Sequence, residues 1–190
     1  MRRKWEKVRV ICFAFSVILT VMAIAGVSYL TGQTGSETLS TQAKVVAMFP
    51  FAFRQHHHNW IWLHLGLNSP RRLAHVYEFG FLGACATLAM LTNPWPRRGR
   101  SHLSYRRVSV RMILSVALCA AMSFMDQIHK IFVQYRHFDV LDLRLDAVGY
   151  VGMALVVSVL YLLVTRRALQ KTERLLEEQM RQETYLLERD

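Results

Sequence analysis

Ionisable side chains crowd one short stretch of the chain, residues 126–147, which lies between two apolar segments. Those segments, 108–125 and 148–165, are each long enough to cross a bilayer as a helix. Charges beside membrane helices are costly unless they are paired or hydrated, so this stretch is a candidate functional site. The simpler alternative is a solvated loop that connects two spanning helices. Its charged residues are Asp126, His129, Lys130, Arg136, Asp139, Asp142, Arg144 and Asp146.

Two of these carboxylates share a predicted helix face. Asp142 and Asp146 are four residues apart, and Gly149 and Met153 continue the same stripe. Because two carboxylates on one face repel each other, they require a cation nearby. Arg136 is the nearest fixed cation in the sequence, and a metal ion is the alternative.

The composition is that of a membrane protein. The chain has 190 residues, 53% of them hydrophobic and concentrated in blocks, which leaves no room for a sizeable soluble domain. The formal net charge is +11, but the basic residues flank the apolar blocks. This pattern indicates membrane topology and contact with anionic lipids, and it argues against a nucleic-acid partner. The three cysteines lie inside apolar blocks without metal-ligand spacing.

Four apolar segments predict an all-α integral membrane bundle of four transmembrane helices. They cover residues 10–30, 73–92, 108–125 and 148–165. The first imitates a signal peptide, but its apolar run continues to Leu30, which favours an uncleaved anchor. We expect one transmembrane domain over residues 8–165 and a charged, cytoplasmic helical tail over 166–190.

The stretch between the first two spans, residues 31–72, carries three further signals. It opens with a run rich in Gly, Ser and Thr, which predicts a loop or a helix start. Residues 45–53 are too short to span and are predicted to be interfacial or re-entrant, and Trp60 and Trp62 suit the headgroup level. A histidine run leaves metal capture open as a further function, although it fixes no metal geometry. These histidines are His56, His57, His58 and His64.

Lysine and arginine are concentrated in the N-terminus, the 93–107 loop and the tail. The positive-inside rule then predicts that both termini are cytoplasmic in a bacterial plasma membrane and that the 126–147 stretch lies outside. His75 and Glu78 share one face at the start of the second span, so they are predicted to meet that stretch at the outer end. The candidate residues of this outward-facing site are His75, Glu78, Asp126, Arg136, Asp142 and Asp146.

Three motifs occur in a fixed order along residues 10–160. They are a polar Ser/Gln stretch after the first span, a His-x-x-Glu-aromatic start to the second, and an Asp…Phe…Arg…Asp…Gly run. The residues that carry them are Gln33 and Ser40; His75, Glu78, Phe79, Leu82 and Gly83; and Asp126, Phe132, Arg136, Asp142 and Gly149. In this order they resemble the VanZ-like family of bacterial membrane proteins. The chain departs from the family pattern at Gln127, Lys130 and Asp146, where the family has an acid, a glutamine and an asparagine.

The resemblance implies a shared fold, a cell-envelope location and an association with tolerance of the lipoglycopeptide teicoplanin, without naming a reaction. Membrane lipids, and a lipid-linked cell-wall intermediate, are then the expected partners. The first hypothesis is a binding protein in which Arg136, held by Asp142 or Asp126, presents a planar fork to a phosphate or carboxylate of a lipid-linked or lipid-tailed ligand.

The alternative hypothesis is an extracytoplasmic, metal-assisted enzyme that acts on lipid-linked phosphate or glycan substrates. Glu78, Asp126 and Asp142 would hold the divalent cation, and His75 would act as acid or base. No nucleophile motif or phosphate loop supports this hypothesis, so binding is favoured and no metal ligand is assigned. The sequence identifies neither a cofactor nor an oligomeric state.

Overall fold

A computed structural model describes residues 2–48, 70–94 and 105–187. The described chain forms helices joined by short connections, and it contains no strand. The helices are α1 (Arg2–Thr31), α2 (Gly35–Met48), α3 (Pro70–Thr92), α4 (Tyr105–Ile131) and α5 (Val140–Leu187). The predicted all-α architecture is confirmed.

Four of these helices are long and apolar enough to cross a membrane. The candidate spans are Lys7–Thr31, Arg72–Thr92, Tyr105–Ile131 and Val140–Gln182. The predicted four-span bundle is therefore confirmed, and the chain is a multi-pass membrane protein.

The helix boundaries around the charged stretch differ from the predicted ones. The helix α4 continues to Ile131 and α5 already begins at Val140, so most of residues 126–147 are helical and the solvated-loop alternative is wrong. Asp139 caps α5 by accepting a hydrogen bond from the Leu141 amide at 2.9 Å. Its own amide donates to Gln127 Oε1 at 3.2 Å, which holds the end of α4 beside the start of α5.

The helix α3 packs against α1, α4 and α5. It approaches α5 closely, since a Cβ added at Gly149 would lie 2.4 Å from the Val76 carbonyl oxygen. A Cβ added at Gly83 would lie 2.6 Å from Tyr150 Cα. Small residues allow membrane helices to approach this closely. The two glycines thus bring the beginnings of α3 and α5 side by side.

The helix α4 has a polar buried side and an apolar exposed side. Its buried residues are Val108, Ser115, Cys119, Ser123, Asp126, Gln127 and Lys130. Its exposed residues include Val110, Ile113, Leu114, Leu118, Phe124 and Met125. This distribution is the reverse of that in a water-soluble helix, and it suits a helix whose outer side meets lipid and whose polar groups must find partners inside.

The Gly/Ser/Thr-rich run after α1 proves to be a helix start. The amide and hydroxyl of Thr34 donate to Glu37 Oε2 at 2.8 and 2.9 Å, and the Glu37 amide donates back to Thr34 Oγ1 at 3.4 Å. This is a capping box at the N-terminus of α2. The hydrogen bonds from the Thr34 amide and hydroxyl lower the pKa of Glu37.

The predicted interfacial or re-entrant segment, residues 45–53, overlaps α2 as far as Met48. Its remainder lies outside the described residues, as do Trp60, Trp62 and the histidine run. At the other end of the chain, α5 runs without a break through residue 165 into the tail, where the residues described are largely exposed. The boundary between a transmembrane domain and a tail at this point stays a prediction.

The C-terminus of α3 is held by arginines from two other helices. Arg9 donates from Nε to the Thr92 carbonyl at 3.1 Å and from Nη2 to the Asn93 carbonyl at 3.0 Å. Arg111 donates to the Leu91 carbonyl at 3.0 Å. Cations here satisfy the last carbonyls of α3 and complement its dipole. The end of the bundle near the 93–107 loop is therefore anchored by arginine.

Candidate functional site

Ionisable side chains from three helices meet at the opposite end of the bundle, where α3 and α5 begin and α4 ends. We call the following residues the polar cluster: His75, Asp126, Lys130, Asp142 and Asp146. Each of the five is at most 8% exposed. The helices α3 and α5 run in the same direction and α4 runs against them, so three distant parts of the sequence reach one depth. The structure thus brings together four of the six predicted site residues in one cluster.

His75 is held between two carboxylates that are one turn apart on α5. Its Nδ1 lies 2.9 Å from Asp146 Oδ1, and its Nε2 lies 3.3 Å from Asp142 Oδ2. Ser123 on α4 fixes the far side of Asp146 by donating to Oδ2 at 2.7 Å. Both ring nitrogens donate only when the imidazole is protonated. In that form His75 neutralises part of the negative charge on α5.

Lys130 is the cation at the centre of the cluster. Its Nζ lies 3.0 Å from Asp126 Oδ2, 3.2 Å from Asp142 Oδ2 and 3.4 Å from His75 Nε2. It therefore forms the ion pairs with Asp126 and Asp142 that were predicted for Arg136. Arginine is the residue that is certain to keep its charge when desolvated, which is why the sequence favours Arg136. The sequence does indicate the pair of Lys130 with Asp126, because a spacing of four residues places both on one face of α4.

Asp126 also connects the cluster to the end of α1. Its Oδ1 accepts a hydrogen bond from the Thr31 hydroxyl, and its Oδ2 accepts one from Gln127 Nε2 at 3.2 Å. Thr31 and Gln127 are both buried. Thr31 was not predicted, because a threonine at a helix end carries no distinctive spacing. Gln127 was singled out only as the position where the family pattern has an acid. Four helix ends are thus joined through this one carboxylate and its partners.

Arg136 lies outside the cluster, in the connection between α4 and α5. Its Nη1 donates to the Thr31 carbonyl at 3.3 Å, and its Nη2 donates to the Thr38 hydroxyl on α2. These bonds attach α2 to the rest of the bundle. Its predicted role as a ligand-binding group stays a prediction.

A cavity of about 160 Å³ lies beside the cluster and beneath α2. Three cluster residues line it: His75, Asp126 and Lys130. Its other polar lining residues are Thr31, Gln33, Thr38, Thr41, Gln42, Glu78 and Arg136, and its apolar ones are Leu30, Val46 and Ala74. The two predicted residues that the cluster leaves out, Glu78 and Arg136, therefore face the same space as His75 and Asp126. Asp142 and Asp146 do not line the cavity and lie behind His75 and Lys130.

One group of cluster residues has the geometry of a metal site. Ligand atoms of His75, Asp126 and Asp146 all lie within 4.8 Å of one another. An imidazole and two carboxylates suit a divalent cation. This group differs from the predicted set of Glu78, Asp126 and Asp142. The ammonium of Lys130 is close to two of the three ligands, so a metal ion would face a fixed positive charge there.

The sequence model of the VanZ/LLP1 family matches residues 10–163. The matched part contains the whole polar cluster and every residue that lines the cavity. No curated protein and no solved structure matches the chain.

Proposed function

The chain belongs to the VanZ/LLP1 family, and we propose that it binds a lipid-linked or lipid-tailed ligand of the cell envelope by its anionic head group. The cavity is the observation that carries the proposal. It opens among membrane-spanning helices and is lined by the cations Arg136 and Lys130. A cavity lined by charged side chains at the end of a membrane bundle is where a lipid head group can leave water without leaving the bilayer.

Arg136 is the side chain best suited to hold the anion. Its guanidinium presents N–H donors in a plane that matches two oxygens of a phosphate or carboxylate. Its bonds to Thr31 and Thr38 fix the orientation of that plane. Lys130 adds positive charge at the same cavity, but its ammonium is engaged by aspartates. We therefore assign anion recognition to Arg136 and electrostatic support to Lys130.

The size of the cavity limits what enters it. A volume of about 160 Å³ is close to that of a cavity that holds one benzene molecule, ~150 Å³. Such a space accommodates a head group and not an acyl chain. The tail would stay in the bilayer against the apolar sides of the spans, and Leu30 and Val46 are apolar residues of the cavity lining. This division suits a ligand with a compact head and a lipid tail.

The proposed compartment is the outer side of the plasma membrane, with both termini in the cytoplasm. The support is the distribution of charge: the arginine-rich 93–107 loop follows α3 at the end of the bundle opposite the cavity. An outward cavity that captures envelope lipids offers a physical route to altered tolerance of teicoplanin, which itself carries a lipid tail.

The test is the affinity of the purified protein in detergent for dioctanoyl phosphatidic acid, a lipid-tailed phosphate. We expect Arg136→Gln to weaken binding about tenfold. Arg136→Lys should also weaken it while keeping more of the stability, because lysine keeps the charge and loses the fork. Arg144→Gln is the matched control, because Arg144 is an exposed arginine of α5 outside the cavity. Equal affinity in wild type, Arg136→Gln and Arg144→Gln would overturn the proposal.

A second candidate function, a metal-assisted extracytoplasmic enzyme acting on lipid-linked phosphates or glycans, rests on His75, Asp126 and Asp146. In that case His75 would be a ligand and not the free acid or base. We favour binding over the metal-assisted enzyme, because the ammonium of Lys130 lies close to two of the three candidate metal ligands and would repel a metal ion. The two functions separate in a melting experiment with Mn²⁺ or Zn²⁺. Stabilisation of the wild type that is absent in Asp146→Asn would favour the enzyme, whereas equal melting with and without the metal would favour binding.

A further inference from the structure

Glu78 differs from the other carboxylates at this end of the bundle. It lies one turn after His75 on α3 and lines the cavity. Among the described residues no hydrogen bond or ion pair engages its carboxylate. Asp126, in contrast, pairs with Lys130 and accepts hydrogen bonds from Thr31 and Gln127.

A carboxylate in such a position is costly to keep charged. Removing it from water is unfavourable unless a cation or several donors replace the water. Lys130 and His75 line the same cavity, but both are already held by aspartates on two helices. Asp126 lines the same cavity and adds negative charge to it. A positively charged group on a ligand would therefore offset the free-energy cost of desolvating the Glu78 carboxylate.

The same cavity holds the proposed anion-binding group. Glu78 and Arg136 both line a space of about 160 Å³, so a single small head group can reach both. Such a head would carry its anion and its cation a few bonds apart, as a phosphate joined to an ammonium through a short carbon chain does. Gln33 and Gln42 line the cavity as neutral hydrogen-bonding groups that accommodate either end of such a head.

We propose that Glu78 recognises a primary ammonium group on the ligand, so that the site selects lipid-tailed amino-phosphates with a zwitterionic head. This inference rests on the proposed lipid-binding function and deepens it. A primary ammonium donates three hydrogen bonds, which a carboxylate accepts directly. A quaternary ammonium has no N–H to donate and is larger, so the site discriminates against it.

The experiment compares three dioctanoyl lipids on the wild-type protein: phosphatidylethanolamine, phosphatidylcholine and phosphatidic acid. We expect phosphatidylethanolamine to bind about tenfold more tightly than the other two, as one charge-assisted hydrogen bond allows. In Glu78→Gln this preference should disappear, because the neutral amide cannot pair with the ammonium group. Glu173→Gln, which removes an exposed acid of the tail, should bind all three lipids as the wild type does.

The results distinguish a failure of the contact between Glu78 and the ammonium group from a failure of the proposed lipid-binding function. Absence of binding of all three lipids to the wild type would overturn the proposed function. Binding of phosphatidic acid that depends on Arg136, without a preference for phosphatidylethanolamine, would overturn the role of Glu78 alone. A preference for phosphatidylethanolamine that is retained in Glu78→Gln would also overturn the role of Glu78 alone. The wild-type comparison does not depend on how well the variant folds.

A further arm distinguishes a lipid head group from a free solute. Phosphoethanolamine without a tail should bind at least tenfold more weakly than dioctanoyl phosphatidylethanolamine, because burial of each tail methylene contributes about 0.8 kcal/mol. Equal affinity for both would overturn the lipid-tailed ligand of the proposed function, and it would leave the ammonium contact with Glu78 standing.

Discussion

Lys130 Nζ lies 3.0 Å from Asp126 Oδ2 and 3.2 Å from Asp142 Oδ2, and so joins α4 to α5 inside a membrane bundle. Both pairs are almost completely shielded from solvent. Charges at this depth persist in proteins where they are paired with one another. Lys130 therefore neutralises part of the negative charge of the cluster, and the contacts of the cluster hold three helix ends together. The cavity beside the cluster is lined by Glu78 and Arg136, which do not belong to it.

Replacing Lys130 by methionine should strongly destabilise the protein. The variant keeps the volume of the side chain but leaves Asp126 and Asp142 without their shared cation. Loss of one partner from a buried ion pair costs about 3–5 kcal/mol. The measurement is unfolding in detergent, followed by temperature or denaturant. Lys171→Met on the exposed tail is the control and should change stability by less than about 0.5 kcal/mol. Similar stability of both variants would contradict a central role for Lys130.

The meeting of His75, Asp126, Asp142 and Asp146 was predictable from the sequence. Their segments lie at successive helix ends, and a bilayer forces helix ends into two layers. Hydropathy alone gave the four spans, because a lipid-facing surface must be apolar. What sequence could not resolve was the direction of each side chain. That direction decides whether Lys130 or Arg136 reaches Asp142, and both are within range along the chain.

The ends of α4 and α5 were misplaced for a related physical reason. Hydropathy indicates which segments are apolar enough to face lipid. It decreases along a helix wherever polar side chains point into the bundle, so the predicted span ends before the helix does. Asp126 and Lys130 lowered the signal at the end of α4, and Asp142 and Asp146 did so at the start of α5, although all four are helical. The start of α2 was readable in contrast, since Thr34 and Glu37 have the spacing of a capping box.

The capping box predicts that α2 loosens in acid. The pKa of Glu37 is lowered from its ordinary value of 4.5 by hydrogen bonds from Thr34. Its contribution is therefore complete above that value and is lost as the pH falls through the lowered pKa of the folded state. Hydrogen exchange of α2 amides should speed up in acid relative to those of α3. Glutamine can still accept the cap bond, so Glu37→Gln should exchange with little added acid dependence. Identical acid dependence in the variant and the wild type would contradict this.

The proposed topology predicts which positions are reached from outside the cell. Ser36 is an exposed residue of α2 at the cavity end of the bundle, and Ser101 lies in the arginine-rich 93–107 loop. A cysteine placed at Ser36 should react with a membrane-impermeant thiol reagent added to intact cells, and one placed at Ser101 should react only after lysis. The background is the chain with Cys12, Cys85 and Cys119 replaced by serine or alanine. The reverse pattern would place the cavity on the cytoplasmic side and exclude outer-leaflet ligands.

The close approach of α3 and α5 predicts different effects for two glycines that are three residues apart. In Gly149→Ala the new methyl group would lie 2.4 Å from the Val76 carbonyl oxygen, so the helices must separate. Overpacking of this kind costs about 1–3 kcal/mol. Separation would also move Asp146 on α5 away from His75 on α3, so the affinity for a lipid-tailed phosphate should fall together with the melting temperature.

Gly152→Ala is the matched control for this change. A Cβ at Gly152 meets nothing within 4 Å, and alanine favours a helix over glycine by up to about 1 kcal/mol. This variant should therefore be as stable as the wild type or slightly more stable, with unchanged lipid affinity. Equal behaviour of the two alanine variants would show that the α3–α5 contact does not set the geometry of the polar cluster. Loss of stability in Gly149→Ala with unchanged affinity would show that the cavity keeps its shape without that contact.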